Sequence, residues 1–495
     1  MIQRNRRTGV NANPLYTNFY LSGNVNYLPT EDSQDKMLNP GVAQPLFTTA
    51  FPPDEFAARR AHVMDQIGSD AITVLQGAGE YPVYMKFRQS NNFFYLTGVE
   101  VPRAMLLLDG RTKTATLFLA PRDERLERWD GPYLVPGDEA AKLTGIARVL
   151  SRDRFGEVLL QVGRERKTVY TPLRRESLNS AAPEDTLGHM ASTIDDPWDG
   201  RPSREAAFVQ KLRALLSHIE VRPLDQIFDA MRVIKSPREI AIMREANRIA
   251  GRALMEMMRS TTPGIYEYEL EAIGQYFYHA ANGLQGYYAQ VLGGKNHIFL
   301  RYHKNETELK DGDLVTVDFG PDYKYYVADV KRLWPVNGKF NPLQRELYTA
   351  FLLCWEAMEQ SIKPNMKPRD VIHDAVLKMD QVQATFKFTN PKVKEAVANM
   401  VDRLRALTGN SFGHSVGMEP HDQAMGEPPF DMLKPGMVFA IEFGLNLRLP
   451  EEGAYAMMED NYVVTDTGIE NLSASIPREP DDIEKVMAER GLFKP

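Results

Sequence analysis

The chain has 495 residues, 43% hydrophobic and 25% charged; this is ordinary globular usage, which excludes a disordered, collagen-like or coiled-coil protein and predicts roughly two to four domains. Lys and Arg number 59 against 66 Asp and Glu, a net charge of −7, so no basic excess exists to neutralise phosphates and nucleic acid is not an expected partner. The one cysteine, Cys354, excludes a disulfide framework and cysteine zinc sites; no apolar run approaches the ~20 residues of a membrane span and no secretory signal is visible, so a cytoplasmic protein is expected.

Residues 1–47, rich in Asn, Pro and Tyr, show no periodicity and read as an N-terminal arm. Asp54 to Ile67 predicts a helix. Ala71–Leu75, Ala104–Leu108 and Ala115–Leu119 predict buried strands. Strand and helix signals then alternate, giving an α/β domain over residues 48–228. Ser236-Pro237-Arg238-Glu239 is a capping box with proline at the first helical position. It opens the second domain, residues 229–495, with an amphipathic helix whose apolar stripe includes Ile242, Met243, Ala246, Ile249, Ala253 and Met257. A helix over about 266–282 follows, then strands, helices at about 342–404, and strands again.

The chain also repeats itself. Leu309-Lys-Asp-Gly-Asp-Leu-Val-Thr-Val-Asp318-Phe-Gly320 matches Leu433-Lys-Pro-Gly-Met-Val-Phe-Ala-Ile-Glu442-Phe-Gly444, with five of twelve positions identical. Tyr325, Asp329 and Gly338 recur at the spacing of Tyr455, Glu459 and Gly468. Leu314, Thr316 and Asp318 share one strand face, as do Val438, Ala440 and Glu442. A carboxylate at the end of so apolar a strand is costly unless paired or bound to a cation. Four acids gathered by a pseudo-two-fold would repel, and two divalent ions would neutralise them. His414, in Ser411-Phe-Gly-His414-Ser-Val-Gly417, is the candidate nitrogen ligand, and glycines on either side allow close approach. Carboxylates with one histidine suit Mn, Fe, Co or Zn.

In order and spacing, Asp318, Asp329, His414, Glu442 and Glu459 resemble the five metal ligands of the pita-bread metallopeptidases, and within that group the chain resembles the Xaa-Pro aminopeptidase (aminopeptidase P) family over about residues 50–480. Phe87-Arg-Gln-Ser-Asn-Asn-Phe-Phe-Tyr-Leu-Thr-Gly98, Leu333-Trp-Pro-Val-Asn-Gly338 and Leu433-Lys-Pro-Gly-Met437 also fit that family. The resemblance implies an α+β pita-bread domain with an internal pseudo-two-fold, following the α/β domain. It implies two divalent ions, commonly Mn2+, sharing a hydroxide that attacks the scissile carbonyl. Asp318 would chelate one ion, Asp329 and Glu459 would bridge, and His414 and Glu442 would hold the other. Glu442 would also shuttle the proton, and His421 would contact substrate, a peptide with proline in second place. Relatives of this kind form homodimers or homotetramers.

Three positions depart from the family pattern. Arg301 stands where a histidine is usual, with His303 two residues on and able to share its face in an extended strand. Lys331 replaces a threonine and should face the metals with Asp329. Met457 replaces an arginine on the face of Glu459. Lys331 either takes the missing arginine's place beside two metals, or its ammonium fills part of the metal cavity, or it reaches solvent. His303 and Lys331 therefore join Glu442 and His421 as catalytic candidates. Two further functions stay open: an enzyme of the same fold with altered substrate or chemistry, and a catalytically silent binding protein. His297 reads as structural or as a residue of the site's rim, and Cys354, set among Phe351, Leu352, Leu353 and Trp355, as a buried, unreactive thiol.

Overall fold

The computed structural model describes residues 46–79, 86–174, 191–299, 301–407, 411–423, 425–442 and 446–492. All but the last two residues of the expected 1–47 arm lie outside them.

Pro53–Ile67 forms the first described helix, buried through Phe56, Val63 and Met64. A six-stranded mixed sheet follows, in the order Arg148–Ser151, Thr114–Leu119, Met105–Asp109, Ala71–Gln76, Thr168–Thr171, Glu220–Pro223. Ala71–Gln76 pairs antiparallel with Met105–Asp109 and parallel with Thr168–Thr171. Ile72, Val74, Leu107, Phe118 and Val169 pack with Val158, Leu159 and Leu212 of neighbouring helices. Helices cover these strands, so they carry near-continuous apolar runs rather than alternation. The predicted strands coincide with observed ones to within a residue or two. Residues 122–134 belong to a separate compact unit, where Asp123 caps the Glu124–Asp130 helix by accepting from the backbone N–H of Arg125 and Leu126.

The capping box is made: Ser236 and Glu239 exchange bonds at the start of the Pro237–Ser260 helix. Glu267–Ala280 is the second helix, and Pro342–Glu359, Pro368–Thr385 and Pro391–Ala406 fill the helical stretch further on. Two small sheets carry the repeated segments. One has the order Lys331–Pro335, Leu314–Asp318, Gln290–Gly293; the other Gly413–Ser415, Val438–Ile441, Asp460–Val464, Ile469–Asn471. One antiparallel bridge joins them, with Lys331 and Glu459 each donating its N–H to the other's carbonyl at 3.1 Å. A single core, including Trp334, Phe351, Trp355, Phe439 and Tyr462, underlies both sheets.

Candidate metal centre

Strand register lines up the site. Asp318 is the cross-strand partner of Lys331, and Lys331 is bridged to Glu459. The Ile441–Asp460 pairing then sets Glu442 beside Glu459. Adjacent cross-strand residues on one face stand about 5 Å apart, so three acids and the lysine form a row. Asp329 and His414 close over it. His414 pairs with Ala440, and the strands approach so closely there that a Cβ on Gly413 would sit 1.7 Å from Ala440 O. Gly320, just past Asp318, is in the same position against Ala328 O, also at 1.7 Å. Only glycine fits at either place.

The Lys331 ammonium sits among the acids: Nζ lies 2.6 Å from Glu442 Oε1, 3.1 Å from Glu459 Oε2 and 3.1 Å from Asp318 Oδ2. It does not reach solvent. On the other side, His414 Nε2 lies 3.3 Å from Glu459 Oε1 and 3.8 Å from both Asp329 Oδ2 and Glu442 Oε2. Asp318, Asp329, His414 and Glu459 are buried, whereas the Glu442 side chain keeps 35% of its surface exposed. Within this cluster three buried polar atoms make no hydrogen bond: Asp318 Oδ1, His414 Nε2 and Glu459 Oε1. Atoms of this kind demand a partner. Three overlapping sets of donor atoms lie within 4.8 Å of one another, Asp329 with His414 and His421, His414 with Glu442 and Glu459, and Asp318 with Asp329 and Glu459, and such sets suit a divalent cation of borderline hardness.

Electrostatics agree with that geometry. Burial and the charges of Asp318 and Glu442 push Asp329 up to about 7. Burial, Asp329 and Glu442 push Glu459 up to about 8. At both acids, burial and the neighbouring carboxylates outweigh the positive charge of Lys331 and His414. Lys331 holds Glu442 down to about 2. Burial opposes charge on His414, but Glu459, Asp329 and Glu442 outweigh it and raise its pKa to about 9. A cation at this point would stabilise the ionised forms of Asp329 and Glu459.

A surrounding shell holds these groups in place. Gln290 Nε2 donates to Asp318 Oδ2 at 3.1 Å. The Asn461 side chain clamps the Asp329 backbone, accepting its N–H at 2.9 Å and donating to its carbonyl at 2.6 Å. The wholly buried Arg332 pairs with Asp460 at 2.6 Å and donates to the Lys331 and Glu459 carbonyls at 2.9 and 3.0 Å. The sequence reading missed all three. Asn461 was findable, because it lies two residues past Glu459, on the same face of an apolar strand.

His421 stacks on His414, with ring centroids 3.7 Å apart. Its turn is braced from the first domain: Asn91 Nδ2 donates to Met418 O and Glu419 Oε1, both at 3.2 Å. Arg88 pairs with Asp322 at 2.5 Å. Arg232 donates to Asn92 Oδ1 at 2.9 Å and to Asp422. The Phe87–Gly98 motif thus serves as a buried polar latch.

His303 stands apart. It is exposed, its Nδ1 lies 2.9 Å from Arg301 O, and its ring rests against Tyr288. The extended strand that would have aimed it at the cluster does not form, since residues 301–307 carry no strand. Arg301 is exposed, and Met457 is buried in the core. His297 is structural, stacked 3.8 Å from Tyr455, and Cys354 is buried and free.

Comparison with known proteins fits this geometry. Residues 241–466 match metallopeptidase family M24, and residues 56–170 match the aminopeptidase P N-terminal domain. The Xaa-Pro aminopeptidase of Escherichia coli K12 is 31% identical over 452 residues, covering 88% of this chain and 97% of that protein. The chain belongs to metallopeptidase family M24. Among further M24 relatives, human Xaa-Pro aminopeptidase 3 is 29% identical over 489 residues, covering 93% of this chain and 90% of its own. The structure of E. coli aminopeptidase P with the inhibitor Pro-Leu superposes with a TM-score of 0.69 at 27% identity, covering 88% of this chain and 98% of that one. The architecture is therefore an aminopeptidase P N-terminal α/β domain followed by the pita-bread fold of the M24 enzymes.

Proposed function

We propose that this metal-dependent aminopeptidase removes the N-terminal residue of peptides whose second residue is proline. The observation that carries the reading is the convergence of His414 Nε2, Asp329 Oδ2, Glu442 Oε2 and Glu459 Oε1 beside the exposed edge of Glu442. Asp318, Asp329, His414, Glu442 and Glu459 would hold two divalent metal ions, and a donor set of mostly carboxylate oxygens favours Mn2+. Bound metal would supply a water activated at neutral pH and polarise the scissile carbonyl.

The chain's own groups do the rest. Glu442, whose side chain keeps 35% of its surface exposed, accepts a proton from the attacking water while Lys331 holds its Oε1. Glu442 then hands that proton to the proline nitrogen as the C–N bond breaks. That nitrogen is a tertiary amide without its own N–H. His421, stacked on His414, orients the substrate beside the scissile bond.

The two domains divide near 228–229, between the two matched regions. A homodimer or homotetramer is the expected assembly, supported by the exposed aromatics Tyr266, Tyr268, Tyr276 and Phe299. A cytoplasmic location is in keeping with the one unpaired thiol, Cys354.

The test is hydrolysis by purified protein with MnCl2. Xaa-Pro-Yaa should lose Xaa, while Xaa-Ala-Yaa and an N-acetylated Xaa-Pro-Yaa should stay intact. No cleavage, or equal cleavage of the alanine peptide, overturns the proposal.

A further inference from the structure

Lys331 occupies ground that a metal would need. We propose that its ammonium is the resident cation on the Asp318 side of the centre, so that this chain holds one divalent ion tightly and admits a second only by displacing the lysine. This rests on the metallo-aminopeptidase reading of the same residues.

The oxygens are already divided between two cation positions. Glu442 turns Oε1 to Lys331 Nζ at 2.6 Å and Oε2 toward His414 Nε2 at 3.8 Å. Glu459 turns Oε2 to the ammonium at 3.1 Å and Oε1 toward His414 Nε2 at 3.3 Å. Asp318 Oδ2 completes the ammonium's set, and Asp329 Oδ2 completes the other. Two acids thus bridge a position filled by an –NH3+ and the ground beside His414 Nε2, which three carboxylate oxygens approach within 3.8 Å. The ammonium has three donor hydrogens, and it meets three carboxylates.

The lysine is pinned as well as attracted. Its backbone pairs with Asp318 on one side and Glu459 on the other, and the side chain is buried. Charge favours the same arrangement. Four carboxylates with one dication and the ammonium leave a single negative charge, which a substrate's amino terminus can meet. Two dications with the ammonium leave an excess positive charge at contact distance, where repulsion in a buried site is strong.

Titration of metal-free protein with MnCl2 by calorimetry, with metal content measured after gel filtration, tests this without relying on turnover. Wild type should retain about one ion per chain, any second binding at least about a hundredfold more weakly. Lys331→Thr should bind about two, the second within about tenfold of the first. Lys331→Met is the parallel variant, keeping the length of the side chain without its charge. Wild-type protein loaded with Mn2+ should give the electron paramagnetic resonance spectrum of an isolated ion, a readout that holds even if neither variant folds. Two tight ions in the wild type, an exchange-coupled spectrum, or one ion in both wild type and variants overturns the proposal. Peptide cleavage with two ions bound overturns this inference alone, whereas no metal binding and no cleavage overturns the metallo-aminopeptidase reading itself.

Discussion

Asn461→Ala should loosen the metal centre without touching a ligand. Asn461 is fully buried, and its amide is a two-pronged clamp on the Asp329 backbone, at 2.9 Å to the N–H and 2.6 Å to the carbonyl. Removing it strands one donor and one acceptor away from water. Each stranded group costs about 1–3 kcal/mol, so the local penalty is about 2–6 kcal/mol if nothing moves. The segment relieves part of that by shifting, and the shift carries the Asp329 carboxylate out of place. Loss of a group that orients a ligand typically weakens metal binding about 10–100-fold, or about 1.4–2.8 kcal/mol, which fits within the penalty. Asn461→Asp should do similar harm, because a carboxylate still accepts the N–H but repels the carbonyl. The assay is Mn2+ titration of metal-free protein by calorimetry, with circular dichroism to verify folding. Folded Asn461→Ala protein that binds Mn2+ within twofold of wild type would refute the claim that this clamp sets Asp329.

Two other outcomes follow from the same structure. Glu442→Gln keeps the shape and removes the proton carrier, so turnover of an Xaa-Pro peptide should fall roughly 10²–10⁴-fold; a loss below tenfold in stopped-time assays, with metal still bound, would exclude Glu442 from that role. Burial pushes the Glu419 carboxyl up to about 7, with Arg232 opposing and Asp422 adding. Its ionisation therefore destabilises the fold, by nothing below about pH 4.5, increasingly as pH rises to about 7, and fully above that. Glu419→Gln should stabilise the protein at pH 8 by an amount on the order of 3 kcal/mol. That gain should shrink to nothing near pH 4.5 in urea titrations, and a gain that does not vary with pH would show the burial argument to be misplaced.

Asp318 and Glu442 were legible because a carboxylate ending an apolar strand is anomalous, and Asp329 and Glu459 because they recur at matched spacing. Lys331 was legible by parity with Asp329, and it does face the cluster. Which of its readings holds depends on three distances that no spacing rule supplies. His303 misled because parity arguments need an extended strand, and residues 301–307 form none. The acids Asp329 and Glu459 lie just ahead of their strands, Lys331–Pro335 and Asp460–Val464, rather than within them. The polar brace was illegible for another reason: Arg88 finds Asp322, Asn91 finds Glu419 and Arg232 finds Asp422 across separations of 190 residues or more. A buried arginine announces only that a counter-charge exists somewhere, not where it lies.

The brace also bears on how far this molecule can be dissected. The turn that carries His421 is fastened by Asn91, a residue far outside the pita-bread half. A fragment beginning near residue 229 would keep every proposed ligand yet lose Arg88 and Asn91, and Asp322 and Glu419 would lose partners deep in its interior. The smallest working catalyst is therefore the two-domain body, and the leading half is part of the machine rather than an accessory to it.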